Sequence, residues 1–284
     1  MPRQTSANTK NDADKHRPFL KWAGGKFRLT SEINRLLPRN KQCLIEPFVG
    51  AGAVFLNSQF ERYILADINP DLIHLFNFVK QDVEAYIEAC LPVFFHPEAN
   101  SQLYYLQKRL EFNQSQDLFQ RAVLFLYLNR FGYNGLCRYN SRNEFNVPFG
   151  DYKTHYFPAD ELRYFAQKAQ NAEFICADFQ QTFQLADENC VIYCDPPYAP
   201  LRQTSNFTNY AGNQFGEKQQ RELAEAARQA QQNQVPVLIS NHDTPFTREI
   251  YQGAKLRRLK VQRSISQSAQ NRVKVKELLA YFAP

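Results

Sequence analysis

Five short apolar runs constrain this chain more than any other feature. They lie at residues 43–48 (CLIEPF), 63–66 (YILA), 173–177 (EFICA), 191–194 (VIYC) and 235–240 (VPVLIS). Each is too short for a helix of ordinary length and is rich in β-branched or aromatic residues, as buried strands are. Helix-like stretches separate most of them, for example residues 30–37 and 217–232. The second of these has few large apolar positions and reads as a solvent-facing helix. Strands alternating with helices imply a parallel α/β sheet. Near the end, residues 255–265 and 275–282 read as two strands joined by a polar loop at 266–272. They form an antiparallel hairpin at one edge of that sheet.

The middle of the chain departs from this alternation. From residue 70 to 158 the strand-like runs vanish, and helical patterns appear at 72–89, 103–112 and 118–131. An aromatic stretch rich in Asn, Gly and Arg follows. The chain thus divides into a flexible tail (1–17), an α/β domain (18–69 and 159–284) and a mostly helical insertion (70–158). With 284 residues it is long enough for one large domain or two smaller ones.

No apolar run is long enough to cross a bilayer, and the first 17 residues lack the apolar core of a signal peptide. The expected location is the cytoplasm. The six cysteines show no Cys-x-x-Cys pair. Cys43, Cys176, Cys190 and Cys194 fall in or beside strand-like runs and read as small core residues in a reducing cell, with no metal site. The net charge of +6 is a modest basic bias. Eight of the basic residues lie between 255 and 276 with no acid among them. This is either a solvated face or a surface for nucleic acid.

Two loops carry chemistry. The first run leads into EPFVGAG, where Gly50 and Gly52 let backbone approach a ligand at the start of the next helix. A dinucleotide fingerprint would need a third glycine, and Phe55 stands there instead. Glu46 ahead of the loop repels a pyrophosphate and suits a cation. Asp67 ends the second run, 15 residues after Gly52, where an acid can bond ribose hydroxyls. Asp67 or Asn69 could equally cap the helix after Pro70. Together these features point to an adenosine-type cofactor without a diphosphate, which S-adenosylmethionine satisfies.

The second loop is DPPY, Asp195 to Tyr198. Pro196 and Pro197 fix two consecutive φ angles and offer no N–H. The Pro196 carbonyl and the Asp195 carboxylate become neighbouring acceptors, which match the two N–H donors of an amino group. Tyr198 offers a ring face for a planar base.

With these motifs in hand, the chain resembles the DNA adenine methyltransferase (Dam) family. FLKWAGGK (19–26), EPFVGAG (46–52), LADIN (65–69), residues 121–140, EFNVPFG (144–150), DPPY, PVLISNHDT (236–244) and QRSIS (262–266) follow that family's signature segments in order. The resemblance implies a seven-stranded, Rossmann-like methyltransferase sheet with an inserted, mostly helical target-recognition domain. It implies methyl transfer from S-adenosylmethionine to a flipped adenine in double-stranded DNA, within GATC, by a monomer. Trp22, Lys26, Glu46, Phe48, Gly50, Gly52, Asp67, Asp178 and Asp195 are then expected at the cofactor. Asp195, Pro196, Pro197 and Tyr198 are expected at the reacting amine. Lys21, Leu136 and Arg138 would meet base edges, Tyr133 and Asn134 the gap left by the flipped base, and Pro148 and Tyr152 the DNA. Arg suits guanine, Leu a thymine methyl, and an aromatic can wedge between base steps.

Two positions depart from the family pattern. Asp151 replaces an arginine that touches phosphate, and residues 267–271 lack the usual glycines and extra basic residues. Three other readings compete. A nicotinamide oxidoreductase lacks its third glycine, and a silent DNA binder would not need an intact DPPY. Methylation of cytosine or glutamine goes with Ser-Pro-Pro-Tyr or Asn-Pro-Pro-Tyr loops.

Overall fold

The computed structural model describes residues 15–200, 215–262 and 274–284. The loop expected at 266–272, the segment 267–271 and most of the expected tail lie outside them. Seven strands form one sheet in the order β3-β2-β1-β4-β5-β7-β6. They are β1 (Cys43–Glu46), β2 (Arg62–Asp67), β3 (Ala172–Cys176), β4 (Cys190–Cys194), β5 (Val237–His242), β6 (Lys255–Gln262) and β7 (Lys274–Phe282). The first five are parallel, and β7 runs antiparallel between β5 and β6. The β6–β7 pair therefore forms the expected hairpin at one edge.

The ten helices of the described residues are α1 (Thr30–Leu36), α2 (Ala53–Asn57), α3 (Pro70–Gln81), α4 (Val83–Phe94), α5 (Gln102–Gln114), α6 (Leu118–Phe131), α7 (Ala159–Ala169), α8 (Phe179–Phe183), α9 (Glu217–Gln232) and α10 (Pro245–Ile250). None is long and apolar enough to cross a membrane. The central strands are buried on both faces, which explains their unbroken apolar sequences.

Three expectations need correction. The helix foreseen at 72–89 is two helices. Asp82 adopts an extended conformation, and its carboxylate accepts from Ala85 N at 3.0 Å to start α4. Helix α9 is not solvent-facing on all sides. Leu223, Ala224, Ala227 and Ala230 are buried against the sheet, the alanines serving as its apolar stripe. Cys176 is exposed, because β3 is an edge strand and that residue lies at its open end.

The order of the strands positions the site. From β1 the chain passes to β2 on one side, while β4 lies on the other. The loops leaving β1 and β4 thus diverge at the C-terminal edge, where open α/β sheets hold their ligands. Between β2 and β3 the chain is helical, and α3 through α7 share one apolar cluster with a face of the sheet. A buried ion pair ties the start of α3 to α6: Arg121 donates to both oxygens of Asp71 at 2.9 Å. Tyr139 adds a third bond to Asp71 at 2.7 Å.

Removing the acid leaves a largely buried guanidinium with only the Phe112 and Ser115 carbonyls as acceptors. Asp71→Ala is therefore expected to lower the unfolding free energy by about 3–5 kcal/mol. Urea titration measures this, and a loss below about 1 kcal/mol would contradict it.

Candidate active site

The site is built from strand ends. Glu46 closes β1, Asp67 closes β2, and Asp195 follows β4 directly. The glycine loop after β1 folds as its sequence requires: Gly50 has φ +49° and Gly52 has φ +73°. At Gly50 a Cβ would stand 2.7 Å from Trp22 Nε1, so the indole lies directly on the loop backbone. Asp67 braces the loop. One of its oxygens accepts from Gly50 N at 3.2 Å and the other from Asn69 N at 3.0 Å. Each oxygen keeps a lone pair for another donor. Burial raises the Asp67 carboxyl above its ordinary value, and these backbone N–H groups oppose the rise. The cap of α3 is Asn69, whose side chain accepts from Asp71 N and Leu72 N.

Glu46 is fully buried, and its Oε1 has no hydrogen-bond partner among the described residues. Burial first, then the charge of Asp195, push its carboxyl well above the usual carboxylate range. Both effects favour its neutral form over the charge that its sequence position suggests. A cation placed beside Oε1 would favour the charged form.

Asp195 lies at the centre. Its Oδ1 is 2.9 Å from Lys26 Nζ and accepts from Ser240 Oγ at 2.9 Å. The Lys26 ammonium also donates to the Gly24 carbonyl and stands 4.6 Å above the centre of the Tyr198 ring. Tyr198 donates to Glu277 Oε2 at 3.2 Å and meets His242 edge to face, with ring centres 4.8 Å apart. Pro196 is buried, and the Pro197 carbonyl accepts from Gln220 Nε2 at 2.7 Å. Phe48 packs against Phe179 and Phe215 at 5.9 and 5.4 Å. Asp178 is exposed, and its carboxylate is engaged in capping α8 through Gln181 N at 2.8 Å.

A second cluster lies on the helical side. Asn129, buried in α6, accepts from Lys21 N at 2.8 Å and donates to Lys21 O at 2.7 Å. The Lys21 ammonium donates to the Arg130 carbonyl at 2.7 Å and lies 3.7 Å from the centre of the Tyr152 ring. Burial, and next the charge of Arg130, lower its pKa to about 8. Tyr152 accepts from Asn134 N at 2.8 Å and donates to Gly132 O at 3.1 Å. Tyr133 is exposed, and its N–H donates to the Pro148 carbonyl at 2.9 Å. Arg138 donates through Nε to Asn146 Oδ1 at 2.8 Å. Leu136 is half-buried, and Pro148 and Asp151 are exposed.

Of the foreseen residues, Trp22, Gly50 and Asp67 meet at the glycine loop, Lys26, Asp195 and Tyr198 after β4, and Lys21, Asn134 and Tyr152 on the helical side, while Phe48, Asp178 and Arg138 engage other neighbours. The segment before α1 joins these groups. Lys21 points to the helical side, while Trp22 and Lys26 point to the glycine loop and Asp195. Ser240, Glu277, His242, Asn129 and Asn146 were not foreseen. Ile68, 65% exposed at the tip of β2, was also missed, although a large apolar residue beside Asp67 offers a face for a planar ring.

Residues 22–265 match the family described as D12 class N6 adenine-specific DNA methyltransferase. The chain belongs to this family. A protein of Haemophilus influenzae named DNA adenine methylase is 70% identical over 269 residues, covering 94% of each chain. Proteins of that name from Escherichia coli and Vibrio cholerae are 59% and 55% identical over 270 and 271 residues. They cover 95% of this chain and 96% and 97% of their own. The enzyme is an S-adenosylmethionine-dependent, adenine-specific DNA methyltransferase.

The residues present fit that cofactor. Gly50 leaves bare backbone beside Trp22, Asp67 keeps acceptor capacity, and Glu46 offers an orphaned buried oxygen. Gly50→Ala places a methyl group against Trp22 in a left-handed backbone. Stability should fall by about 1–2 kcal/mol, and cofactor affinity by about tenfold or more. Calorimetric titration of S-adenosylmethionine checks this, and unchanged affinity would contradict it.

Proposed function

We propose that this enzyme methylates the 6-amino group of an adenine flipped out of double-stranded DNA, within the sequence GATC. One observation carries the reading of the site. The Lys26 ammonium presents N–H donors to Asp195 Oδ1 while lying over the Tyr198 ring. A flipped adenine needs that same combination, an acceptor for its amine and a ring face for its base.

S-adenosylmethionine supplies an electrophilic methyl group on a sulfonium. The residues proposed to hold it are Trp22, Lys26, Glu46, Phe48, Gly50, Gly52, Asp67, Asp178 and Asp195. Ile68 adds an apolar surface beside Asp67. The adenine amine is a poor nucleophile, because its lone pair is delocalised into the ring. Asp195 and the Pro196 carbonyl accept its two N–H hydrogens and favour a tetrahedral nitrogen with a free lone pair. Positive charge that develops on the nitrogen is then stabilised by the Asp195 carboxylate. Tyr198 stacks on the base, and its bond to Glu277 fixes the ring. In this reading Lys26 leaves Asp195 as the amine arrives.

Residues 70–158 act as the target-recognition region. Lys21 and Arg138 bond guanine edges, Leu136 touches a thymine methyl, and Tyr133 and Asn134 fill the gap left by the flipped base. Pro148 and Tyr152 shape the loop that carries them. The basic character of the terminal hairpin is partly offset, since Arg257 pairs with Glu32 and Arg258 lies 3.8 Å from Asp243. One chain carries both clusters, which supports a monomer as the working unit. Its DNA substrate accords with a cytoplasmic location.

Labelled S-adenosylmethionine and plasmid DNA test the specificity. Label should enter adenine only in plasmids that carry GATC, and nucleases sensitive to GATC methylation should report the change. Label without altered GATC cleavage would refute the assignment. Arg138→Ala should lose about 1–3 kcal/mol of discrimination at one base pair. Unchanged relative rates on singly altered sites would contradict its role.

A further inference from the structure

Two buried hydroxyl groups stand behind the catalytic loop. Tyr193 and Asp195 are two residues apart where β4 ends, which directs their side chains to one face. Ser240 lies on the neighbouring strand β5. Tyr193 is 2% exposed and Ser240 is fully buried. Ser240 Oγ is 2.9 Å from Asp195 Oδ1, 3.1 Å from the Tyr193 hydroxyl and 3.3 Å from the Cys194 carbonyl.

A serine hydroxyl has one proton to give. Ser240 also interacts with the Tyr198 hydroxyl. Of the oxygens around Ser240, the carboxylate is the only one that is formally charged, so it receives that proton. Tyr193 must then donate to Ser240. Burial, followed by the charge of Asp195, raises the Tyr193 phenol well above its usual value, so it keeps its proton. The result is a directional chain, Tyr193 O–H to Ser240 O–H to Asp195 carboxylate. Apolar residues would fill the same space without the cost of burying polar atoms.

We propose that Ser240 and Tyr193 are positioning residues that anchor Asp195 Oδ1 for methyl transfer, an inference that rests on Asp195 as the acceptor of the target amine. When Lys26 gives way to that amine, Ser240 is the donor that stays. It holds the carboxylate in one orientation, and Tyr193 strengthens its bond through the linked hydroxyls.

Single-turnover methylation of a GATC duplex by Ser240→Ala, Ser240→Thr, Tyr193→Phe and the Ser240→Ala/Tyr193→Phe double variant tests the chain. Loss of a hydrogen bond to a charged group corresponds to about a tenfold to hundredfold slower rate for Ser240→Ala. Affinities for S-adenosylmethionine and duplex should stay within about twofold of wild type, as RT ln 2 is small beside a hydrogen bond. Ser240→Thr keeps the hydroxyl and should restore most of the rate. Tyr193→Phe should slow the reaction less, and add nothing in the double variant, because it acts only through Ser240. A wild-type rate for Ser240→Ala overturns the proposal. So does a loss of rate that accompanies lost cofactor affinity and a lowered melting temperature in both single variants, since that describes a core role. Asp195→Ala separates this failure from that of the underlying reading. It is inactive if only the anchoring chain is wrong, and active if Asp195 is not the acceptor.

Discussion

One carboxylate organises this molecule. Asp195 leaves β4 on a backbone stiffened by Pro196 and Pro197, with Lys26 and Ser240 both on its Oδ1. The two partners come from opposite ends of the chain. For them to meet, the segment before α1 must fold over the C-terminal edge of the sheet, and β5 must lie beside β4. Burial, and next the charge of Asp195, push the Glu46 carboxyl well above the usual carboxylate range. The ends of β1 and β4 are therefore coupled through one short stretch of electrostatics.

The segment from Lys21 to Lys26 performs a second task. Both peptide groups of Lys21 bond to Asn129 of α6, while Trp22 covers Gly50 and Lys26 reaches Asp195. Six consecutive residues thus touch helix α6, the glycine loop and Asp195. The same junction is braced below by Asp71, which gathers Arg121 of α6 and Tyr139 beside Arg138. The residues proposed to read a base and to methylate one are thereby placed within a few residues of each other along the chain.

Much of this was legible in the sequence because the chemistry sits at strand ends. A strand that ends in Asp-Pro-Pro-Tyr, or leads into Gly-Ala-Gly, shows its purpose locally. Helix α6 was legible too, because apolar residues follow Asp117, its cap. The break at Asp82 was hidden because apolar periodicity continues across it. Alanines concealed the buried stripe of α9. Ser240 and Glu277 were hidden for a different reason. They are polar residues within strands, and their partners follow from the order β4-β5-β7, in which the antiparallel β7 enters beside β5. Sequence spacing alone does not reveal that neighbour. Asn129 was obscured in the same way, since its partner Lys21 lies 108 residues away.

The Asp195 carboxylate is proposed to accept the target amine rather than to serve as a structural acid. Methyl transfer by Asp195→Ala, measured in a single turnover with cofactor and GATC duplex binding followed in parallel, tests it most directly. Transfer should fall below detection while the duplex still binds. Transfer at the wild-type rate in that variant would contradict it.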